Sequence, residues 1–370
     1  MRLTIQREAF LKPLRLVAGV VERKHTQAAP ILMNVLIEVN EKSFTLTTTD
    51  QEVELVASGV VEDAKVEKGS VTVPVRKLMD ICKTLPEGEN LSLVEEAGRV
   101  ILRAGRSRFT LSTLPVADFP SSDPHVGDFE FLIPQKKLKT LLEKTCFAMA
   151  EQDVRYYLNG LLLEVKNNHI YGVAADGHRL AFGKVALPLE KKELVRVIVP
   201  RKGILELQRL MDEGDPDLKI ILGKNHIRVM TPDAQLTSKL LDGRFPDYER
   251  LVLVDGDKVF EGQREVLKES FQRAASLFND KFKGVHLKLV KGWLKILAKN
   301  TEQDEVEEDL EIDYQGNELE IGFNIKYLID FLNVIQSDRV RFTFSDPNTS
   351  ARIEGVGEES GIYVIMPMRI

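Results

Sequence analysis

The sequence predicts an α+β protein built from three similar domains. Three segments, spaced by roughly the size of one domain, open alike with a short strand, a polar turn and an amphipathic helix. These segments are 3–5 into 6–21, 129–133 into 135–150, and 259–261 into 264–278. A second landmark, a β run followed by another helix, recurs at 71–77, 197–203 and 319–326. We therefore place the domains at residues 1–125, 126–255 and 256–370.

The elements follow from local patterns. Leu138, Leu141 and Leu142 recur at the spacing of one buried helix face. Pro74 and Pro200 stand at the start of the second helix in their domains, where a missing N–H costs little. Between the helices, runs such as 43–47 and 287–290 alternate polar and apolar residues, which predicts strands.

Composition excludes several classes of protein. The 370 residues carry a formal net charge of −6 and are 43% hydrophobic, which is ordinary for a globular chain. No apolar run approaches the ~18 residues of a membrane helix. The first turns carry charges rather than the apolar core of a signal peptide. The two cysteines make neither a disulfide framework nor a metal site, so we expect a cytoplasmic protein.

Charge is unevenly divided between helices and the rest of the chain. The six predicted helices contain 17 Lys or Arg against 9 Asp or Glu, a net +8, which leaves −14 elsewhere. Helices on one side of the sheets would give a basic face that attracts phosphates without regard to base sequence. Solvated lysines on ordinary surface helices explain the same excess.

Two runs of opposite charge suggest self-association. The third domain carries an acidic run at 302–309, and the first domain carries arginines along 99–108, followed by Phe109 and Leu111. Two chains pairing these runs head to tail would close into a ring. The alternative is that each run is a solvated surface.

Catalytic and metal-binding motifs are scarce. The best catalytic candidate is Asp176 with His178, but the sequence supplies neither a nucleophile nor an oxyanion site. The alternative is an Asp-Gly turn leading into a strand. The histidines lack metal-ligand spacing, so we expect no metal site.

Two other stretches have open interpretations. Tyr156 and Tyr157 beside Arg155 suit stacking on bases, or else pack over a core at the start of a strand. The tail 366–370 places flexible methionines where they suit an adaptable peptide groove, or else simply finishes an edge strand.

Taken together, these strings resemble the bacterial sliding clamps, the beta subunits of DNA polymerase III. The matching stretches are 105–109, 119–120, 152–160, 176–180, 199–203, 243–248 and 366–369, in order along the whole chain. The resemblance implies the DNA clamp fold with three similar domains per chain. It implies that two chains form a six-domain ring with the helices lining the hole and the sheets outside.

The resemblance also implies roles for individual residues. The implied DNA-binding positions are Arg23, Lys24, Arg76, Gln152, Tyr156 and Tyr157. The implied partner-peptide groove consists of Leu158, Gly177, His178, Arg179, Leu180, Pro246, Arg250, Asn324, Tyr327, Val364, Met366, Pro367, Met368 and Arg369. The implied dimer interface consists of Arg103, Arg106, Phe109, Leu111, Leu277, Glu302, Glu305 and Glu308.

The implied function is a non-enzymatic processivity factor that encircles double-stranded DNA without sequence preference. Its implied partners are a second copy of the chain, the polymerase III catalytic subunit, the clamp loader, and other polymerases and repair proteins, with no membrane and no cofactor. Ala175, Asn348 and Ile370 depart from the family pattern near the groove. Two other functions stay open, namely a three-domain peptide-binding scaffold that does not encircle DNA and a hydrolase at Asp176 and His178.

Overall fold

A computed structural model describes residues 1–21, 29–61, 66–120, 127, 129–187, 194–211, 214–253, 255–278 and 283–369. The chain divides into two compact units. Unit 1 comprises residues 1–136 and 202–240, and unit 2 comprises 137–201 and 241–370. The middle of the chain therefore contributes to both units.

The described residues form seven α-helices and 24 strands. The helices are α1 (Arg7–Val17), α2 (Val75–Thr84), α3 (Gln135–Thr145), α4 (Arg201–Leu210), α5 (Tyr248–Val252), α6 (Arg264–Ala275) and α7 (Ile325–Val334). The strands are β1 (Arg2–Gln6), β2 (Asn34–Val39), β3 (Ser43–Thr49), β4 (Val53–Val60), β5 (Gly69–Pro74), β6 (Asn90–Glu96), β7 (Arg99–Ala104), β8 (Ser107–Ser112), β9 (Phe129–Pro134), β10 (Gly160–Lys166), β11 (His169–Ala175), β12 (Arg179–Ala186), β13 (Val195–Pro200), β14 (Asp217–Leu222), β15 (His226–Met230), β16 (Ala234–Lys239), β17 (Lys258–Gln263), β18 (Gly284–Val290), β19 (Trp293–Lys299), β20 (Glu305–Glu311), β21 (Leu319–Asn324), β22 (Arg339–Phe344), β23 (Ala351–Gly355) and β24 (Gly361–Ile365).

Unit 1 contains two antiparallel sheets. The larger has the order β5-β2-β3-β4-β16-β15-β14-β9, and the smaller has the order β1-β6-β7-β8. Helices α1 and α2 pack against each other, and α1 also packs on β3 and β4. The buried face of α1 presents Phe10, Leu14 and Val17 at helical spacing. Burial of such side chains contributes roughly 1.5–3 kcal/mol each.

Unit 2 repeats this plan with different strands. Its eight-stranded sheet has the order β13-β10-β11-β12-β24-β23-β22-β17, and its four-stranded sheet has the order β20-β19-β18-β21. Helices α6 and α7 pack against each other, with Phe271 and Phe331 fully buried on their inner faces. The predicted α+β class and the recurring strand-then-helix units are confirmed.

Three predicted helices end earlier than their apolar patterns suggested, and near each end a side-chain hydroxyl bonds a helix carbonyl. Helix α1 stops at Val17, whose carbonyl accepts a 2.6 Å hydrogen bond from the Thr48 hydroxyl. Helix α3 stops at Thr145, whose hydroxyl donates back to the Leu141 carbonyl. Helix α6 stops at Ala275, beyond which the Ser276 hydroxyl donates to Arg273.

The proposed domain boundaries fall at 125–126 and 255–256. Residues 121–126, 128 and 254 lie outside the described part of the chain. The boundaries therefore stay predictions. In the described ranges no helix is both long and apolar enough to cross a membrane.

A buried ion pair fastens α3 to the turn between β23 and β24 inside unit 2. The Lys144 ammonium contacts the Glu358 carboxylate and donates to the Ser360 hydroxyl at 2.6 Å. Glu358 also accepts the backbone N–H of Gln336 at 3.1 Å. Both charged side chains are largely removed from water, so loss of one partner leaves an uncompensated buried charge.

We expect Lys144→Met to lower the free energy of unfolding by about 3 kcal/mol. This is the lower end of the cost of removing one partner of a buried pair. Urea unfolding followed by Trp293 fluorescence checks this, since the single tryptophan lies in unit 2. Lys184→Met is the matched control, because the Lys184–Glu359 pair is solvent-exposed and its loss costs at most about 1 kcal/mol. Equal effects of the two substitutions would contradict the prediction.

Candidate functional site

The C-terminal tail of unit 2 is positioned by strand pairing. Strand β24 lies between β12 and β23, inside the eight-stranded sheet. The interpretation of the tail as an edge strand is therefore wrong. Beyond β24 the Met366 N–H donates to the His178 carbonyl at 2.8 Å, and the Met368 N–H donates to the Gly322 carbonyl at 2.9 Å. The tail thus runs from the eight-stranded sheet to β21 of the four-stranded sheet.

An apolar cluster forms a floor beside this tail. Leu180 and Val364 are register partners in the β12–β24 ladder, so their side chains share one face of the sheet. Both are buried, and Met366, two residues beyond Val364, is 49% exposed. The other buried members of this cluster are Ala150, Leu158, Leu162, Val173, Ala175, Phe182, Ile198, Phe245, Tyr248 and Val252. An exposed methionine above a buried apolar floor is suited to contact an apolar ligand.

Helix α5 and the segment before it lie beside the predicted groove and pack on the apolar cluster. Phe245, Tyr248 and Val252 point into the cluster, and α5 packs against β24. Pro246 and Arg250 lie on the exposed side. Leu158, at the end of a short 3-10 turn, joins the same cluster.

The turn before β12 is held by Asp176. One carboxylate oxygen accepts the backbone N–H groups of His178 at 2.9 Å and Arg179 at 3.0 Å. Gly177 has φ +89°, and a Cβ there would collide with the Arg155 guanidinium. The Asp176 carboxylate is thus used to shape the turn, while His178 is exposed. This geometry gives no support to catalysis at Asp176 and His178.

Arg179 connects the turn to α7. Its guanidinium pairs with Asp176 at 3.0 Å and with Asp330 at 2.6 Å, and it lies 4.3 Å from the Tyr327 ring centroid. It also donates to the Phe147 carbonyl at 2.9 Å. Burial raises the pKa of the Tyr327 phenol, so it is neutral at physiological pH. Arg179 thus ties the turn before β12 to Tyr327 and Asp330 of α7.

The remaining predicted groove residues lie at the rim. Asn324 caps α7 by accepting the Lys326 N–H at 3.0 Å. Met368 is 37% exposed, Pro367 is half-buried, and Arg369 is exposed. Of the departures from the family pattern, Ala175 is buried in the cluster, Asn348 is exposed in a turn, and Ile370 lies outside the described residues.

The loop 152–158 of unit 2 presents an aromatic side chain to solvent. Asp153 bonds the Arg155 side chain, and this hydrogen bond lowers the Asp153 pKa to about 2. Asn159 adds two bonds to the Asp153 backbone. Tyr156 is 57% exposed, whereas Tyr157 packs against the groove cluster. The two tyrosines therefore have different environments despite their adjacency.

The other predicted DNA-binding residues are dispersed. Gln152 is exposed in the same loop with φ +59°. Arg76 lies on α2 in unit 1, where its guanidinium donates to the Val21 carbonyl at 2.6 Å. Arg23 and Lys24 lie outside the described residues.

The predicted interface residues of unit 1 lie on and near a sheet edge. Strand β8 ends its sheet, and Phe109 on it is half-buried. Arg103 and Arg106 are exposed nearby. Leu111 is only 7% exposed within the chain itself, so Phe109 rather than Leu111 offers apolar surface.

The predicted interface residues of unit 2 lie on or beside β20, which also ends its sheet. Glu308 forms a two-pronged ion pair with Arg273 at 2.7 and 2.9 Å. Glu305 contacts Lys299, and Glu302 is exposed. The half-buried Leu277 accepts a hydrogen bond through its carbonyl from Asn300. Part of the acidic run is therefore neutralised within the chain.

Sequence reasoning did not identify the residues of α5 that lie beside the predicted groove or the partner of Arg179 on α7. No pattern in the sequence marked three residues as site residues, namely Tyr248 and Val252 on the five-residue α5 and Asp330 beside Arg179. Glu164, directly after the three leucines 161–163, was an available signal, because a carboxylate in a buried strand requires partners. Within the part of the chain that the structure describes, no group of His, Cys, Asp and Glu is placed to hold a metal ion.

Three family models match the chain from end to end. They describe the N-terminal, central and C-terminal domains of the DNA polymerase III beta subunit and match residues 1–123, 132–247 and 250–369. The beta sliding clamp of Pseudomonas aeruginosa is 52% identical over 370 residues, and that of Escherichia coli K12 is 46% identical over 371, with all of each chain covered.

Solved structures agree with these matches. The crystal structure of the Pseudomonas aeruginosa DNA polymerase III subunit beta matches with a TM-score of 0.96 at 52% identity, and all of each chain is covered. Caulobacter crescentus pol III beta matches with a TM-score of 0.95 at 34% identity over the same full coverage.

The fold and these similarities define a DNA clamp, a protein that stays on DNA because it encircles the duplex and not because it binds tightly. The chain belongs to the DNA polymerase III beta subunit family. It functions as a DNA sliding clamp, a processivity factor with no catalytic site of its own. Clamps of this family bind DNA, the polymerase and other proteins, the proteins through a peptide-binding pocket.

Proposed function

We propose that the groove between α5 and the tail of unit 2 binds a short, partly apolar peptide of the polymerase, the clamp loader and repair proteins. The observation that carries this proposal is the tail itself. Two backbone hydrogen bonds fix it, and Met366 remains half exposed above the floor formed by Leu180 and Val364. A peptide tethers the polymerase to a clamp on DNA, so that the polymerase rebinds as an intramolecular event.

We expect Met366→Ala to weaken binding of a labelled synthetic peptide from the polymerase III catalytic subunit about tenfold. Burial of a methionine contributes roughly 1.5–3 kcal/mol, and about 1.4 kcal/mol corresponds to a tenfold change in Kd. Fluorescence anisotropy measures the affinity. Met230→Ala is the matched control, because Met230 is a partly exposed methionine on β15 of unit 1. Wild-type affinity in the Met366→Ala protein would refute the groove.

A defined small ligand gives a second test of the groove. A sliding clamp of Pseudomonas aeruginosa has been solved bound to griselimycin. We propose that this chain also binds griselimycin and that the compound competes with the polymerase peptide. Simultaneous binding of both would place griselimycin elsewhere.

The two terminal strands, β8 of unit 1 and β20 of unit 2, are proposed to pair between chains. Each ends its sheet in the described part of the chain and so presents backbone N–H and C=O groups along one side. Arg103 and Arg106 near β8 complement the acidic residues of β20. Head-to-tail pairing of this kind closes a ring of two chains around duplex DNA.

We expect Phe109→Asp to convert the dimer into monomers, since it adds a negative charge opposite the acidic β20 and removes apolar contact. Sedimentation or light scattering would then give the 41.8 kDa mass of one chain. Leu132→Asp is the control, because Leu132 is an exposed residue on β9, a terminal strand of another sheet. A Phe109→Asp protein that stays dimeric would exclude Phe109 from the interface.

The loop 152–158 and Arg76 are proposed to contact DNA. The Tyr156 side chain is 57% exposed, and Arg76 supplies a cation that suits a phosphate. Arg23, Lys24, Gln152 and Tyr157 complete the proposed set. Because such contacts ignore base sequence, the clamp slides along the duplex.

We expect Tyr156→Ala to weaken binding to a primed duplex with a single-stranded overhang by roughly fivefold, the low end for loss of one base-stacking ring. Val154→Ala is the control, since Val154 is 94% exposed in the same loop. Arg76→Gln should lower the slope of log affinity against log salt by about 1. Anisotropy titrations across salt concentrations measure both, and an unchanged slope would remove Arg76 from the DNA-binding set.

We place this activity in the cytoplasm, where bacterial DNA is replicated. The proposed domain limits remain 1–125, 126–255 and 256–370. Neither Cys82 nor Cys146 forms a disulfide in the described part of the chain.

A further inference from the structure

A buried ionic cluster lies behind the wall of the groove in unit 2. Glu164 on β10 has a side chain that is 0% exposed. Its carboxylate contacts Lys166 at 2.5 Å and also contacts Arg196. Glu249 on α5 completes the cluster, 2.5 Å from the same Lys166 ammonium. Two cations therefore balance two carboxylates.

The cluster reaches α5 through the Tyr248 phenol. The Tyr248 hydroxyl donates a buried 3.1 Å hydrogen bond to Glu164, and the Tyr248 ring stacks on Phe182 with centroids 5.8 Å apart. The Lys166 ammonium lies 5.8 Å from the same ring centroid. Burial, followed by the nearby Glu164 charge, raises the Tyr248 pKa to about 12, so the phenol remains a donor at all physiological pH values.

Apart from the Tyr248 hydrogen bond and the exposed Glu249–Lys166 ion pair, helix α5 has few means of holding its position. It is five residues long, too short to be stable alone. The residue that precedes the helix, Asp247, makes no capping hydrogen bond through its side chain. Tyr248 and Val252 are its two buried side chains. Both side chains belong to the apolar cluster that forms the floor of the groove. Any shift of α5 therefore changes the width of the groove.

We propose that Glu164, acting through Tyr248, is the positioning residue that fixes the α5 wall and thereby sets the affinity of the groove for its peptide. This inference rests on the proposed function of the groove. Glu164 does not contact the peptide, because it is completely buried. Its carboxylate holds α5 at the distance from Leu180 and Val364 that the peptide requires.

The decisive variant is Tyr248→Phe, which removes one hydroxyl and keeps the ring that stacks on Phe182. Glu164 retains Lys166 and Arg196, so the fold should survive. We expect peptide affinity to fall about tenfold, because one hydrogen bond to a charged group is lost. The rate of amide hydrogen exchange in residues 248–252 should rise by about the same factor. The melting temperature should stay close to that of the wild type.

Tyr171→Phe is the matched control. The Tyr171 ring packs at a tilt against the same Phe182 and lies 5.1 Å from the same Lys166 ammonium, but its hydroxyl makes no hydrogen bond in the described part of the chain. It should bind peptide normally. Glu164→Gln should weaken binding at least as much as Tyr248→Phe if the variant remains folded by circular dichroism.

The labelled polymerase peptide is the probe throughout, with Met366→Ala measured beside the other variants. If Tyr248→Phe has normal peptide affinity and normal hydrogen exchange while Met366→Ala binds the peptide more weakly, this inference alone is overturned. Normal affinity in Met366→Ala would overturn the groove and this inference with it. Equal losses in Tyr248→Phe and Tyr171→Phe would show a general packing effect and would also overturn it.

Discussion

The antiparallel pairing of β12 with β24 is the constraint on which the proposed groove depends. The ladder places Leu180 opposite Val364, and the two-residue period of a strand brings Met366 to the same face. The Met366 N–H extends the ladder by one more bond to His178. Because backbone groups make these bonds, the tail is fixed without using the methionine side chains. Those side chains remain available to a ligand.

Polar groups, rather than more apolar packing, hold the parts around the groove. Arg179 joins the turn at Asp176 to Asp330 on α7, and Glu164 joins β10 to α5. Burying charges costs more than burying apolar groups of the same volume, so such clusters contribute little net stability. They do require one geometry, since each lone pair and each N–H must meet its partner. The planar, forked guanidinium of Arg179 serves this purpose in a way a lysine would not.

Local patterns predicted the repeated strand and helix units, because the 3.6- and 2-residue periods are written in neighbouring residues. The end of α1 was less predictable, since a hydroxyl from Thr48, distant in sequence, bonds its last carbonyl. The groove residues came from the family resemblance and not from periodicity. Alternation marks Leu162 and Glu164 as sharing a face of β10, but it cannot say that α5 covers that face. Only the tertiary pairing of Tyr248 with Glu164 shows this.

The acidic strand β20 shows why charge patterns alone misjudge an interface. Glu308 is bonded to Arg273, and Glu305 to Lys299, within the same chain. These carboxylates still add to the long-range field that steers a basic partner, because steering depends on summed charge. Their contribution to affinity is smaller, since a partner's arginine must compete with the existing pairs. Register at such an edge is then set by the backbone groups of the terminal strands and by apolar side chains such as Phe109, with charge selecting which edges approach one another.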